Sequence, residues 1–151
     1  MKHKVFLFTV LMMTMAIPQS LKAYDFSAVA PSGQTLYYNI VDGHAEVVRP
    51  SSSSSAYVTG NLVIPSTVTY NGTTYRVICI GGGAFQACYN LTSVTIPDSV
   101  TSIGNSAFSG CEVLNSVTIP NSMTSIGSAA FAQCSVLTSI TIPISMTTIV
   151  T

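Results

Sequence analysis

Four cysteines, His44 and a run of three glycines are the residues in this chain whose types could do chemistry. His44 follows Asp42-Gly43 and precedes Glu46 by two positions, so an imidazole and a carboxylate could share a proton there. Cys79, Cys88, Cys111 and Cys134 could ligate zinc, pair as disulfides or act as nucleophiles. Gly81-Gly82-Gly83 has the backbone freedom of a phosphate-binding loop. Spacing argues against each. No G-x-S-x-G, H-E-x-x-H or G-x-x-x-x-G-K-[ST] occurs, so nucleophile elbow, zinc helix and P-loop are missing. The glycine run lacks the following Lys-Ser/Thr, and Gly81 recurs as Gly104 and Gly127, which a tight turn explains. No C-x-x-C pair or nearby His supports zinc, and His44 reads as a solvated hairpin residue. The chain reads as non-catalytic, with no metal or cofactor site.

The cysteines point instead to the elements that position them. Cys88, Cys111 and Cys134 are 23 residues apart, as are Phe85, Phe108 and Phe131, and Ile80, Ile103, Ile126 and Ile149. Segments 80–102, 103–125 and 126–148 share twelve identical positions, reading I-G-x-x-A-F-x-x-C-x-x-L-x-S-[VI]-T-I-P-x-S-x-T-x. A period of roughly 20–29 residues marks a leucine-rich-repeat solenoid, whose units must stack to bury their apolar faces. In each unit Val94 and Ile96 alternate inward while Ser93 and Thr95 face out, a short strand closed by Pro97. Val100–Ile103 is a second extended piece, and Gly104–Cys111 is expected to form one helical or 3-10 turn. The phenylalanines should stack as a core spine. Export would favour disulfides, but the cysteine register predicts a ladder of small, unpaired buried side chains with Cys79 off it.

Before the regular units, 24–79 forms a β-hairpin lead-in and irregular first repeat that caps the stack. Tyr37–Val41 and His44–Val48 flank Asp42-Gly43, a type I′ turn pair; Ser51–Ser55 reads as an exposed loop. Asn61-Leu62-Val63-Ile64-Pro65 resembles the later strand segment, and the nine extra residues before Ile96-Pro97 hold a second hairpin at Asn71-Gly72. Residues 1–23 read as a signal peptide, with Lys2 and Lys4 before the apolar run Val5–Ile17 and Ala23 at the cleavage site. That run is short for a membrane anchor, and no second hydrophobic span follows. After cleavage only Arg49 and Arg76 oppose five carboxylates, for a net charge of −3. Nucleic acid is excluded as a partner, since binding phosphates needs clustered Lys and Arg.

The repeated block resembles the BspA-like class of bacterial leucine-rich repeats over about 80–151, and 24–79 is similar to the lead-in before such arrays. The resemblance implies a secreted or cell-surface protein, an adhesin or protein-binding module, and no catalytic residues. Ser99, Ser122 and Ser145 stand where the general pattern runs an Asn ladder, so hydroxyls should form it. The favoured function is a protein- or glycan-binding module outside the cell; the alternative is a structural array segment, or a fragment of a longer surface protein, without its own ligand. The outward ladders Ser93, Ser116, Ser139 and Thr95, Thr118, Thr141 lack the aromatic and Arg side chains typical of hot spots. Ligand contacts are therefore expected in the lead-in, at Tyr37, Tyr38, Tyr57 and Tyr75. Asp98-Ser99-Val100 also resembles a bacterial O-glycosylation acceptor, against a default reading as a turn. Ile140, Ile142, Met146 and Ile149 in 126–151 are expected to leave an uncapped stacking face prone to fraying or self-association.

Overall fold

The computed structural model describes residues 24–50 and 57–149; residues 1–23, read from sequence as a signal peptide, and the Ser51–Ser55 run lie outside the described residues. Strands β1 (Phe26–Val29), β2 (Thr35–Val41) and β3 (His44–Val48) form an antiparallel meander. Asp42 and Gly43 turn β2 into β3 with φ of 49° and 76°, the double positive φ that a type I′ turn demands. After β4 (Gly60–Val63), the hairpin of β5 (Thr67–Tyr70) and β6 (Thr73–Ile80) closes at Asn71-Gly72 with φ of 49° and 77°. The repeats add β7 (Leu91–Thr95), β8 (Ser102–Ile103), β9 (Ser116–Thr118), β10 (Ser125–Ile126) and β11 (Thr148–Ile149).

Two sheets result. One runs β1-β2-β3-β6-β8-β10-β11, with β5 paired on β6; the other is β4-β7-β9. From β3 onward the path of the first sheet is parallel, in the register Val47↔Ile80↔Ile103↔Ile126↔Ile149. The second aligns Leu62↔Val94↔Val117. The first two repeats thus place one rung on either side of the stack, and the lead-in supplies the first rung of both. The lead-in edge of β4 is shielded by side chains: the Gln34 amide donates to the Thr59 and Asn61 carbonyls, and the Val63 N–H donates to the Ser32 hydroxyl. Such plugging blunts a strand edge that would otherwise recruit another chain. The strand expected at 139–141 is not formed, and Ile142 and Ile144 are solvent-exposed. That run has little apolar burial to hold it.

The core follows the repeat. Phe85 and Phe108 are fully buried, and the ring centroids of Phe85, Phe108 and Phe131 are 5.1 and 5.3 Å apart in near-parallel stacks. Tyr57 extends the spine, its ring 6.2 Å from Phe85 and its hydroxyl donating to the Ala84 carbonyl at 2.6 Å.

The segment expected as a helical or 3-10 turn is neither: among the described residues every regular element is a strand. The cause is backbone handedness. Gly83, Ala87, Ser106, Gly110, Ala129 and Gln133 all have φ between 53° and 75°, which interrupts any right-handed helix. The N–H groups alternate in use. Those of Ala84, Gln86 and Cys88 close local turns, whereas those of Gly83, Phe85 and Ala87 donate to Asn105, Ala107 and Ser109 in the next repeat. Four of the six positions carry a Cβ in a region that favours glycine. Ala129→Gly, at an exposed site, should therefore stabilise the fold by about 0.5–1 kcal/mol in chemical denaturation.

The glycine that opens each repeat has another cause than the tight turn expected for it. Gly81, Gly104 and Gly127 do not have positive φ; they lie where successive backbones touch. A Cβ on Gly104 would sit 2.5 Å from the Gly82 nitrogen and 2.8 Å from the Gly81 carbonyl carbon. One on Gly127 would fall 2.6 Å from the Asn105 nitrogen.

Candidate functional site: a polar groove on the turn face

The residues singled out from sequence divide between scaffold and surface. Tyr38 is fully buried, stacked 5.2 Å from Phe26, and burial pushes its phenol pKa up. It offers no contact surface, because β2 alternates and turns Leu36 and Tyr38 inward. Tyr57 is held in the spine, and its phenol is likewise raised, by burial first. Tyr37 is partly exposed and packs edge-on to Tyr24 and Tyr57. Tyr75 is also partly exposed, 6.4 Å from Phe26. The lead-in tyrosines thus pack against neighbouring aromatic rings, Phe26 and Phe85 among them.

The cysteines are all free thiols. Cys88 and Cys111 are buried and Cys134 is half-buried. They are more than apolar filler: the Cys111 thiol donates to the Phe85 carbonyl at 3.3 Å, and Cys134 to Phe108 at 3.2 Å. Burial, then the neighbouring Cys88 and Cys134, pushes Cys111 up to about 12. Cys79 is also raised, chiefly by burial, and lies 3.6 Å from the Glu46 carboxylate. A thiol held protonated is a poor nucleophile. Thiol-specific labelling of the folded protein near neutral pH should accordingly leave Cys88 and Cys111 unmodified until denaturant is added, with Cys134 reacting earlier. Labelling of Cys111 as fast as a free peptide thiol would contradict this. Among the described residues no group of three His, Cys, Asp or Glu side chains is placed to hold a metal.

The hydroxyl ladder runs through two positions rather than one. Ser122 donates to the Val100 carbonyl at 2.8 Å, and Ser145 to Met123 at 3.0 Å and to Asn121. Thr101, Thr124 and Thr147 donate to Ile78, Thr101 and Thr124 at 3.3, 3.0 and 3.0 Å. Ser99 is 6 % exposed and its hydroxyl is enclosed, so the folded chain does not present it as a glycosylation acceptor.

A surface feature that sequence reasoning missed lies on the turn face. Arg49, Gln86, Ala87, Tyr89, Ser109, Gly110, Glu112 and Gln133 line a groove of about 410 Å³, within the roughly 300–1,000 Å³ of small-ligand sites. Ala87 and Gly110 add little side-chain bulk to its lining. Its rim carries the planar polar groups of Gln86, Glu112, Gln133 and Arg49, beside a Tyr89 ring left 42 % exposed. The Arg49 guanidinium donates to the Gln86 carbonyl at 2.6 Å, which fixes it against the first repeat. The available signal was variability between copies: Gln86, Ser109 and Ala132 occupy one repeat position, and Tyr89, Glu112 and Ser135 another, while the Ala, Phe and Cys between and beside them never change.

Parallel rungs on two sides, an aromatic spine and turns hydrogen-bonded from unit to unit define a leucine-rich-repeat solenoid. Residues 78–151 match the family model described as a BspA type leucine rich repeat region. A leucine-rich repeat protein from Bacteroides capillosus is 38% identical, with a TM-score of 0.66 over 76% of this chain and 82% of its own. One from Bacteroides ovatus is 33% identical with a TM-score of 0.72, covering 84% of this chain and 32% of that protein. A leucine rich cell surface protein from Faecalibacterium prausnitzii is 34% identical with a TM-score of 0.57, over 77% of this chain and 30% of its own. The chain thus spans about a third of the Bacteroides ovatus protein. No curated protein matches it. The chain belongs to the BspA-type leucine-rich-repeat family. Among the described residues no helix is long and apolar enough to cross a membrane.

Proposed function

We propose that this protein is a secreted or cell-surface, non-catalytic recognition module that engages a protein or glycan. The observation that carries the reading is the turn-face groove, where polar side chains from three successive repeats and Arg49 converge on one concave surface. Support for an extracellular location comes from the Lys2/Lys4 and apolar leader pattern and from the Faecalibacterium relative, a cell surface protein by name. We read 24–79 as the cap and 80–151 as the array, supported by the β3–β6 pairing and by Tyr57 on Phe85. Tyr37 and Tyr75 remain secondary contact candidates because part of each ring is exposed. Exposed Ile142, Ile144 and Ile149 favour self-association as an additional contact.

A purely structural array segment would show no ligand dependence on the groove. Beads coated with the mature chain should adhere to a cultured epithelial layer, and beads carrying the Tyr89→Ala, Glu112→Gln double variant should not. Equal adherence of the two, or none by either, would remove the groove as the functional surface.

A further inference from the structure

We propose that the turn-face groove binds a neutral oligosaccharide through its vicinal hydroxyl pairs, with Tyr89 as the stacking platform and Arg49, Gln86, Glu112 and Gln133 as hydroxyl partners. This rests on the groove being the contact surface, and it names the ligand class.

Three features of the groove select that class. The first is the shape of its polar groups. An amide, a carboxylate and a guanidinium each present two adjacent polar atoms in a plane, and these match two neighbouring hydroxyls on a pyranose ring. The rim holds four such groups around one exposed aromatic ring. A sugar ring has an apolar C–H face that can lie on the phenol while its edge hydroxyls reach the rim.

The second is charge. Arg49 and Glu112 line the same groove, so the site carries one charge of each sign. An anionic ligand filling the groove would have to accommodate the carboxylate as well as the guanidinium, and a cationic one the reverse. A neutral ligand with both donors and acceptors uses both groups.

The third is the state of the backbone. Peptides are commonly recognised through main-chain hydrogen bonds to an open edge. Along the turns of the first two repeats most of those groups are already used. The N–H groups of Gly83, Phe85, Ala87, Ser106, Phe108 and Gly110 donate to carbonyls of the following repeat, and those of Ala84, Gln86, Cys88, Ala107, Ser109 and Cys111 close turns. Recognition there falls to side chains, which are held on a hydrogen-bonded frame and need little ordering on binding.

The test is affinity electrophoresis of the mature chain in native gels containing galactomannan, mixed-linkage β-glucan or soluble starch, with polygalacturonate as the anionic probe. Random-peptide phage selection on the same immobilised protein forms a second arm. The expected result is retardation by at least one neutral polysaccharide, insensitive to added salt. Tyr89→Ala and Glu112→Ala should each weaken it by about tenfold or more, with unfolding temperatures unchanged because both sites are exposed. Retardation by polygalacturonate alone, undiminished retardation of both variants, or no retardation in any neutral gel would overturn the proposal. If selected peptides bind and Tyr89→Ala abolishes their binding, the glycan class falls while the groove stands as a contact surface. If neither polysaccharide nor peptide binds, both readings fall.

Discussion

Gly104→Ala should lower the stability of this protein by about 3 kcal/mol, a fall in melting temperature on the order of 10 °C. The added Cβ would meet the Gly82 nitrogen at 2.5 Å, the Gly81 carbonyl carbon at 2.8 Å and the Gly82 Cα at 2.9 Å. All three are backbone atoms, so no side-chain rotation can relieve the contact. The repeats would have to separate, stretching the Gly104 N–H bond to the Ile80 carbonyl, now 2.7 Å. Gly82→Ala is the matched control. Its Cβ would lie 3.5 Å from the Asn105 carbonyl oxygen, an ordinary contact, and its φ is not positive, so its effect should stay within about 0.5 kcal/mol. Thermal unfolding of the two variants side by side decides the matter; equal losses would mean that the spacing between repeats is not set by this contact.

The second large effect is expected in the spine. Phe108 is fully buried between Phe85 and Phe131, so Phe108→Ala should cost about 3–5 kcal/mol through lost burial and the cavity left behind. Phe131→Ala should cost less, because that ring is only partly buried and stacks on Phe108 alone among the described residues. Denaturant titration that ranked Phe131 equal to or above Phe108 would show that the central ring does not carry the load its burial implies.

Much of the scaffold was readable from residue order alone. Asp42-Gly43 and Asn71-Gly72 turn as their type requires because few residues adopt two successive positive φ angles. The match of Asn61–Pro65 to the later strand segment appears as the pairing of Leu62 with Val94 and Val63 with Thr95. The outward Thr95, Thr118 and Thr141 are exposed.

The turn conformation was hidden because glycine fills only two of the six left-handed positions, and Ala, Ser and Gln there give no local sign of it. The opening glycines were visible, but their cause was not: close approach of a neighbouring backbone cannot be told from a turn without the stack. Tyr37 and Tyr38 could have been separated by alternation, since adjacent residues in a strand face opposite ways. The groove was the least legible feature. Arg49 reaches a carbonyl 37 residues away, and the other rim residues occupy positions that look unconstrained in any single repeat.

The hydroxyl and thiol ladders have a mechanical consequence. Thr124 hangs on Thr101 and Thr147 on Thr124, while Cys134 hangs on Phe108, so each unit is fastened mainly to the one before it. A pull applied between the chain ends loads these fastenings in series rather than together. The molecule should yield one unit at a time, each release paying out about 75–80 Å of extended chain, and so behave as an extensible tether whose travel is counted in repeats.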